Sequence, residues 1–279
     1  MLSFFLAASA ALSFQTHPPA AAQMQPSFGI GEPLQQGSLV VGLAPAGTAS
    51  RMLDGKPIPT DSDGRFIVGF DRDHAGTATL SARLHDGRTV SRTIEVLPRA
   101  WRVQHVNIAR RPGGATAEYL RLRERELARI GAARSMDAES GGWRQRFIWP
   151  SRGRISGVFG SQRVYRGEPA SFHTGVDVAP GAGAPVVAPA DGVVVLAGPP
   201  MFSLEGNLVI IDHGMGLNSA FLHLGRVHVR EGQSVRQGQL IGTDGSSGRA
   251  TGPHLHWSMK WRDTRIDPQA LAGPMADGG

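Results

Sequence analysis

The chain has 279 residues, ten histidines and no cysteine, with 41% hydrophobic and 19% charged side chains. That length and balance suit a globular protein of two modest domains and exclude a disordered chain. Without cysteine there is no disulfide, no zinc–cysteine cluster and no thiol nucleophile, so a metal here has to be held by histidine and carboxylate. The net charge of +6 comes from dispersed arginines, Lys56 and Lys260 being the two lysines; this predicts no nucleic-acid partner and allows a mild attraction to anionic polymers such as cell-wall glycans.

The N-terminus, MLSFFLAASAALSF, is a short apolar run followed by Pro18, Pro19 and Ala20-Ala21-Ala22. Small residues there fit cleavage before Gln23, so residues 1–22 read as a signal peptide and the protein as exported, periplasmic or cell-wall associated. No later stretch has the ~18 apolar residues of a membrane span, so no transmembrane segment is expected in the mature chain.

Residues 23–100 read as a small β-sandwich. Asp54-Gly55, Asp63-Gly64 and Asp86-Gly87 are placed like hairpin turns. In TATLSARL, the residues Ala78, Leu80, Ala82 and Leu84 alternate with polar ones, which predicts one packed and one wet face. His74 and His85 are isolated beside turns and read as solvated surface residues. From Thr116 to Ile130 the good helix formers, the possible Thr116 cap and Gly131 predict a helix ending at that glycine, packed through Leu120, Leu127 and Ile130. Residues 101–146 then serve as helix and linker, residues 147–272 as a second domain, and 273–279 as a tail. The fold class is mainly all-β, the second domain being antiparallel β with long loops.

In TGPHLHW, Gly252 and Pro253 disfavour a helix, and a strand points residues i and i+2 the same way, so His254 and His256 face one space. SFHTGVDVAPG offers His173 and Asp177. On a straight strand these would share a face but lie about 13 Å apart, too far for one ion, so Gly175 has to bend the chain if they are to meet. His213, at the turn DHGMG, and His228, between Arg226 and Arg230, read as residues without a chemical role. His223, between Leu222 and Leu224, is ambiguous on its own.

Taken together, HxxxD, a lone strand histidine and HxH resemble the lysostaphin-type, or LytM-like, zinc metallopeptidases, a family of cell-wall endopeptidases. The resemblance runs through GVFGSQR, HTGVDVAPGAGAPVVAPADGVV, GNLVIIDHGMGLNSAFLHL and VREGQSVRQGQLIGTDGSSGRATGPHLHW, from about Ile155 to Trp257. It implies that His173, Asp177 and His256 hold one Zn2+ per chain, that His223 and His254 are the catalytic pair, and that peptidoglycan stem peptides or crosslinks are the substrate. Three protein ligands leave a tetrahedral zinc one open position for water, as hydrolysis needs. Many members have tyrosine where this chain has Phe221, a change that touches no ligand.

Three other readings compete. Relatives that only activate cell-wall amidases have usually lost site residues, and all five positions are present here; a non-catalytic activator that binds peptidoglycan or partner proteins remains the alternative. Two histidines and a carboxylate also suit the iron(II) of oxygenases, but export and two further histidines favour hydrolysis. GVVVLAG and GQSVRQGQLIG resemble lipoyl or biotin carrier half-barrels, yet neither lysine sits at a hairpin tip.

Overall fold

The computed structural model describes residues 28–109 and 114–275, so the expected signal segment 1–22 and the end of the tail lie outside the described residues. Among these residues no helix is long and apolar enough to cross a membrane. The protein is mostly β, built from several sheets that are antiparallel in the main.

The first part pairs a five-stranded sheet with the ribbon of Leu39–Leu43 and Arg65–Gly69. Thr77–Leu84 alternates as its sequence requires, with Ala78, Leu80, Ala82 and Leu84 buried. Asp54 and Gly55, with φ of 48° and 76°, form a two-residue turn between Leu53 and Lys56, where left-handed backbone matches strand twist. Asp63-Gly64 differs from the expectation of a hairpin. The Asp61 carboxylate caps it by accepting from Asp63 N and Arg65 N, and the strand it leads into pairs with Leu39–Leu43 instead of with its chain neighbour.

The helix spans Ala117–Arg134 and is capped by Thr116, whose hydroxyl accepts from Tyr119 N at 3.1 Å. Gly131 does not end it. That glycine keeps right-handed backbone, and Ala133 beyond it is buried. The packing face also differs from expectation, since Leu120 and Leu127 are 57% and 54% exposed. The stripe that docks is Arg123, Glu126, Ile130 and Ala133. Two charges lie in it because Arg123 forks onto Glu205 at 2.7 and 2.8 Å, while Glu126 accepts from Ser203 N and Oγ at 2.6 and 2.7 Å. Pairing and hydrogen bonding of this kind offset the cost of taking partly buried charges out of water. Ile130 and Ala133 cover Leu196, Leu208, Ile210 and Ala220 on the outer face of the second part's main sheet. A segment starting at Phe147 lays that apolar face bare. We expect it to unfold at lower denaturant than a segment starting before Thr116, by about 2–4 kcal/mol on the area lost. Equal midpoints would show the helix to be dispensable.

The second part centres on an antiparallel sheet in the order Ser234–Val235, Gly192–Leu196, Asn207–Asp212, Leu217–Leu224, Leu255–Trp261, Val176–Ala179, Arg154–Gly157, with Thr264–Ile266 also on Leu255–Trp261. A smaller sheet joins Pro185–Val187, Leu240–Thr243 and Arg226–Val227. Leu255, Trp257 and Met259 point to the same core as Val176, Phe221 and Leu217, so His256 and Ser258 point to the opposite face. A short helix, Pro268–Ala272, which periodicity did not reveal, follows an Asp267 cap with proline at its first turn. The core is shared between the two parts: Ile266 and Trp261 press on Gly69, and Arg99 pairs with Asp267 at 2.8 Å.

Candidate metal centre and its histidine pair

Asp177 and His256 are direct cross-strand partners, Asp177↔His256 in the antiparallel register of Val176–Ala179 with Leu255–Trp261. Partners of this kind share a face, and His256 Nδ1 stands 2.8 Å from Asp177 Oδ1. His173 lies outside the strand, which starts at Val176. The chain bends at Gly175, whose missing Cβ would collide with the Trp257 carbonyl oxygen and stand 2.8 Å from His256 Nε2. This bend brings His173 Nε2 to 3.1 Å from Asp177 Oδ1 and 3.0 Å from His256 Nδ1. A second close approach occurs at Gly157, where any Cβ would run into Asp177 Oδ2.

These three atoms are joined by a proton on a ring or by a cation held between them. His173 Nδ1 lies 3.1 Å from the Val158 carbonyl, to which it donates, so Nε2 of the neutral ring is a lone pair facing a carboxylate. When the rings instead carry a proton toward it, the imidazoles of His173 and His256 outweigh the burial that would raise the Asp177 carboxyl and hold it well below the usual carboxylate range. A tetrahedral ion with ligand bonds of about 2.1 Å sets its ligand atoms about 3.4 Å apart. The observed edges of 2.8, 3.0 and 3.1 Å are close to that figure. The donor set of two imidazoles and one carboxylate therefore fits a small divalent ion such as zinc.

His254, just before the strand, faces the same space, with Nε2 3.9 Å from Asp177 Oδ1. Its Nδ1 is 2.8 Å from the Gly252 carbonyl, and its ring lies 4.9 Å from that of His223. His223 reaches this place through an irregularity. On a regular strand it would follow Phe221 onto the core face, away from His256. The register with Asn207–Asp212 slips between Asn207 and Val209, and His223 has φ of 64°. A bulge of this sort turns a side chain to the other face, at the cost of a left-handed residue held by its surroundings. Here those are the Glu205 carbonyl, accepting from His223 N at 2.8 Å, and the Ser247 carbonyl, 2.9 Å from Nδ1. Burial lowers the His223 imidazole below its ordinary value, so the ring is neutral at pH 7.

Glu205 was not singled out by sequence reasoning, and Ser247 not for its contact with His223. Each acts through a backbone carbonyl, which leaves no side-chain signature. Phe221 is fully buried in the core and points away from the site. His228 is exposed at the surface. His213 does sit by a turn, yet it is fully buried: Nε2 meets Ser219 Oγ at 2.9 Å and Nδ1 the Asp191 carbonyl at 2.8 Å. Burial pushes its imidazole down from 6.5 to about 4. As pH falls the unfolded chain takes up this proton first, so the contribution of neutral His213 is complete above pH 6.5 and lost on the way down to about 4. It amounts to about 3 kcal/mol. Thermal unfolding should therefore show a steeper loss of stability across that window in the wild type than in His213→Gln; identical slopes would remove His213 as the cause.

Residues 171–268 match the model of peptidase family M23. The peptidoglycan DD-endopeptidase ShyA of Vibrio cholerae is 38% identical to this chain over 133 residues, 47% of this chain and 30% of that protein. The DD-carboxypeptidase/endopeptidase Mpg of Neisseria meningitidis is 40% identical over 43% of this chain and 27% of that protein. The chain thus spans less than a third of the length of these curated relatives. A crystal structure of a putative peptidase M23 from Pseudomonas aeruginosa superposes with a TM-score of 0.67 at 28% identity, covering 88% of this chain and 97% of that one. At that coverage its likeness extends well beyond the segment 171–268. Residues 171–268, which hold the HxxxD and HxH motifs, are thus a segment similar to peptidase family M23.

Proposed function

We propose that this protein is a zinc-dependent endopeptidase that hydrolyses the peptide crosslinks or stem peptides of peptidoglycan, and that it works outside the cytoplasmic membrane. His173, Asp177 and His256 would hold the metal, and His223 and His254 would be the catalytic pair. The observation that carries this reading is the convergence of three acceptor atoms within 3.1 Å of one another beside two further imidazoles. The names of the relatives supply the substrate class.

Zinc bound there would polarise the scissile carbonyl and acidify a water toward a pKa of about 7. The protein's own part follows from how the two free rings are tied. His223 and His254 each spend Nδ1–H on a carbonyl, of Ser247 and of Gly252, so each neutral ring presents an Nε2 lone pair. One ring takes a proton from the attacking water through that lone pair, and the other, when protonated at Nε2 as an imidazolium, donates to the carbonyl oxygen as charge grows there. Collapse breaks the carbon–nitrogen bond, and the proton passes from the imidazolium to the leaving amine.

Digestion of purified, crosslinked peptidoglycan by the full chain, chelator-stripped and then reloaded with zinc, tests this reading through the masses of the released fragments. New amine and carboxyl ends at one kind of peptide bond are expected, only with metal. Binding to the sacculus without any cleavage would favour the amidase-activator alternative, and oxygen-dependent turnover with iron would overturn the peptidase.

A further inference from the structure

A groove of about 820 Å³ leads away from His173 and Asp177, and one of its walls is built by residues outside the family segment. That wall is a small sheet. Val103–Val106, the chain leaving the first part, runs parallel to Gln162–Tyr165, which pairs in turn with Glu168–Pro169. Gln104 lies opposite Arg163 and Val106 opposite Tyr165. Alternation therefore sets Arg102, Gln104, Arg163 and Tyr165 along one face, and all four line the groove.

The charge of this groove is one-sided. Its cations are Arg102 and Arg163, both exposed, and its single carboxylate is Asp177 of the metal cluster. Arg163 Nε donates to Gln104 Oε1 at 3.1 Å, which orients the guanidinium and leaves its two terminal nitrogens without a partner among the described residues. The side chain of Arg102 likewise has no hydrogen-bond partner among them.

The wall is held at a fixed distance from the metal cluster. His173 N donates to the Ser161 carbonyl at 2.8 Å, and Gly160 N to the His173 carbonyl at 2.9 Å. Arg72, 7% exposed, donates to the Gly160 carbonyl at 2.9 Å and to Gln162 Oε1 at 3.2 Å, and its guanidinium lies 5.0 Å from the Phe172 ring and 5.5 Å from that of Trp101. Two forked cations are thereby presented along a path that ends at the candidate metal site. Guanidinium forks match carboxylates in geometry and charge.

We propose that the face carrying Arg102, Gln104, Arg163 and Tyr165 is a substrate subsite for an extended peptide with a free carboxylate beside the cut bond, the two arginines donating to that carboxylate. The proposal rests on the hydrolase reading above. It fits the chemistry of a crosslink made through the amine of a residue that ends its peptide or carries a second carboxylate, because such a residue keeps a free carboxylate beside the amide. The first part of the chain would then set specificity for a reaction performed by the second.

The test uses the full zinc-loaded chain and a soluble crosslinked muropeptide dimer, with its carboxylates free or amidated. Cleavage is followed by chromatography and binding by the anisotropy of a labelled dimer. The wild type is expected to prefer the free-carboxylate form in kcat/KM and in affinity. In the Arg102→Gln/Arg163→Gln double variant that preference should fall about tenfold, the scale of one lost charge-assisted pairing, and Arg102→Lys/Arg163→Lys should recover part of it. Equal cleavage of both forms by the wild type, or an unchanged preference in the glutamine variant, would overturn the subsite while leaving the hydrolase reading standing. Arginine-dependent binding of the free form without cleavage would support the subsite and sink the hydrolase. No binding of either form would remove both.

Discussion

Alanine at His173, Asp177 or His256 is expected to abolish zinc binding and peptidoglycan cleavage together, whereas His223→Ala and His254→Ala should keep zinc and lose about 10²–10⁴-fold in rate, the range of a general acid–base group. The split follows from geometry. The first three side chains contribute the atoms that crowd to within 3.1 Å of one another, and removing any one would leave two of the proposed ligands. The fall in affinity should exceed the roughly 10–100-fold that loss of an outer hydrogen-bond partner costs. His254 stands farther off, with Nε2 3.9 Å from Asp177 Oδ1, and three protein ligands already leave only the position water needs. Elemental analysis after dialysis, beside a cleavage assay and thermal unfolding of each variant, separates the two groups; wild-type protein should hold one zinc per chain. Loss of zinc from His254→Ala with retention in His256→Ala would show the two strand histidines to be exchanged in role.

Gly175→Ala is expected to weaken zinc binding, less than loss of a ligand does, although it removes no functional group. Its new Cβ has no room against the Trp257 carbonyl and would stand 2.8 Å from His256 Nε2. Backbone on one side and a site imidazole on the other leave two ways out: the bend opens and carries His173 away, or His256 rotates. Overpacking of this sort costs about 1–3 kcal/mol, and the relaxation falls on the candidate ligands, so zinc affinity should drop by roughly 10–100-fold. The global fold should survive, because Val176, Leu255 and Trp257 still meet in the core. Zinc titration with unfolding of the metal-free protein checks this. An unchanged zinc affinity would mean that the bend at Gly175 does not set the His173–Asp177 geometry.

What could be read without a structure was whatever depends on local spacing. Alternation in TATLSARL marked a half-buried strand, Asp54-Gly55 a tight turn and Thr116 a helix cap, because each is decided by a few neighbouring residues. The two histidines of TGPHLHW do face one space, His254 from the residue just before the strand and His256 from within it, and the resemblance to lysostaphin-type peptidases picked out the five side chains that the fold gathers there. Other features depend on partners distant in sequence. Periodicity assigned Leu120 and Leu127 to the packed side of the helix, but Glu205 and Ser203, some eighty residues on, make the face of Arg123 and Glu126 the one that docks. Strand parity places His223 with Phe221 in the core; a one-residue slip against Asn207–Asp212, stabilised by the carbonyls of Glu205 and Ser247, sends it to the site instead. The groove wall is also tertiary, since Val103–Val106 and Gln162–Tyr165 show their parallel pairing in neither segment alone. Local sequence determines parity, turns and caps because their energies are spent within a few residues; the tertiary structure decides bulges, docking faces and shared walls because those depend on hydrogen bonds whose two ends lie far apart in the chain.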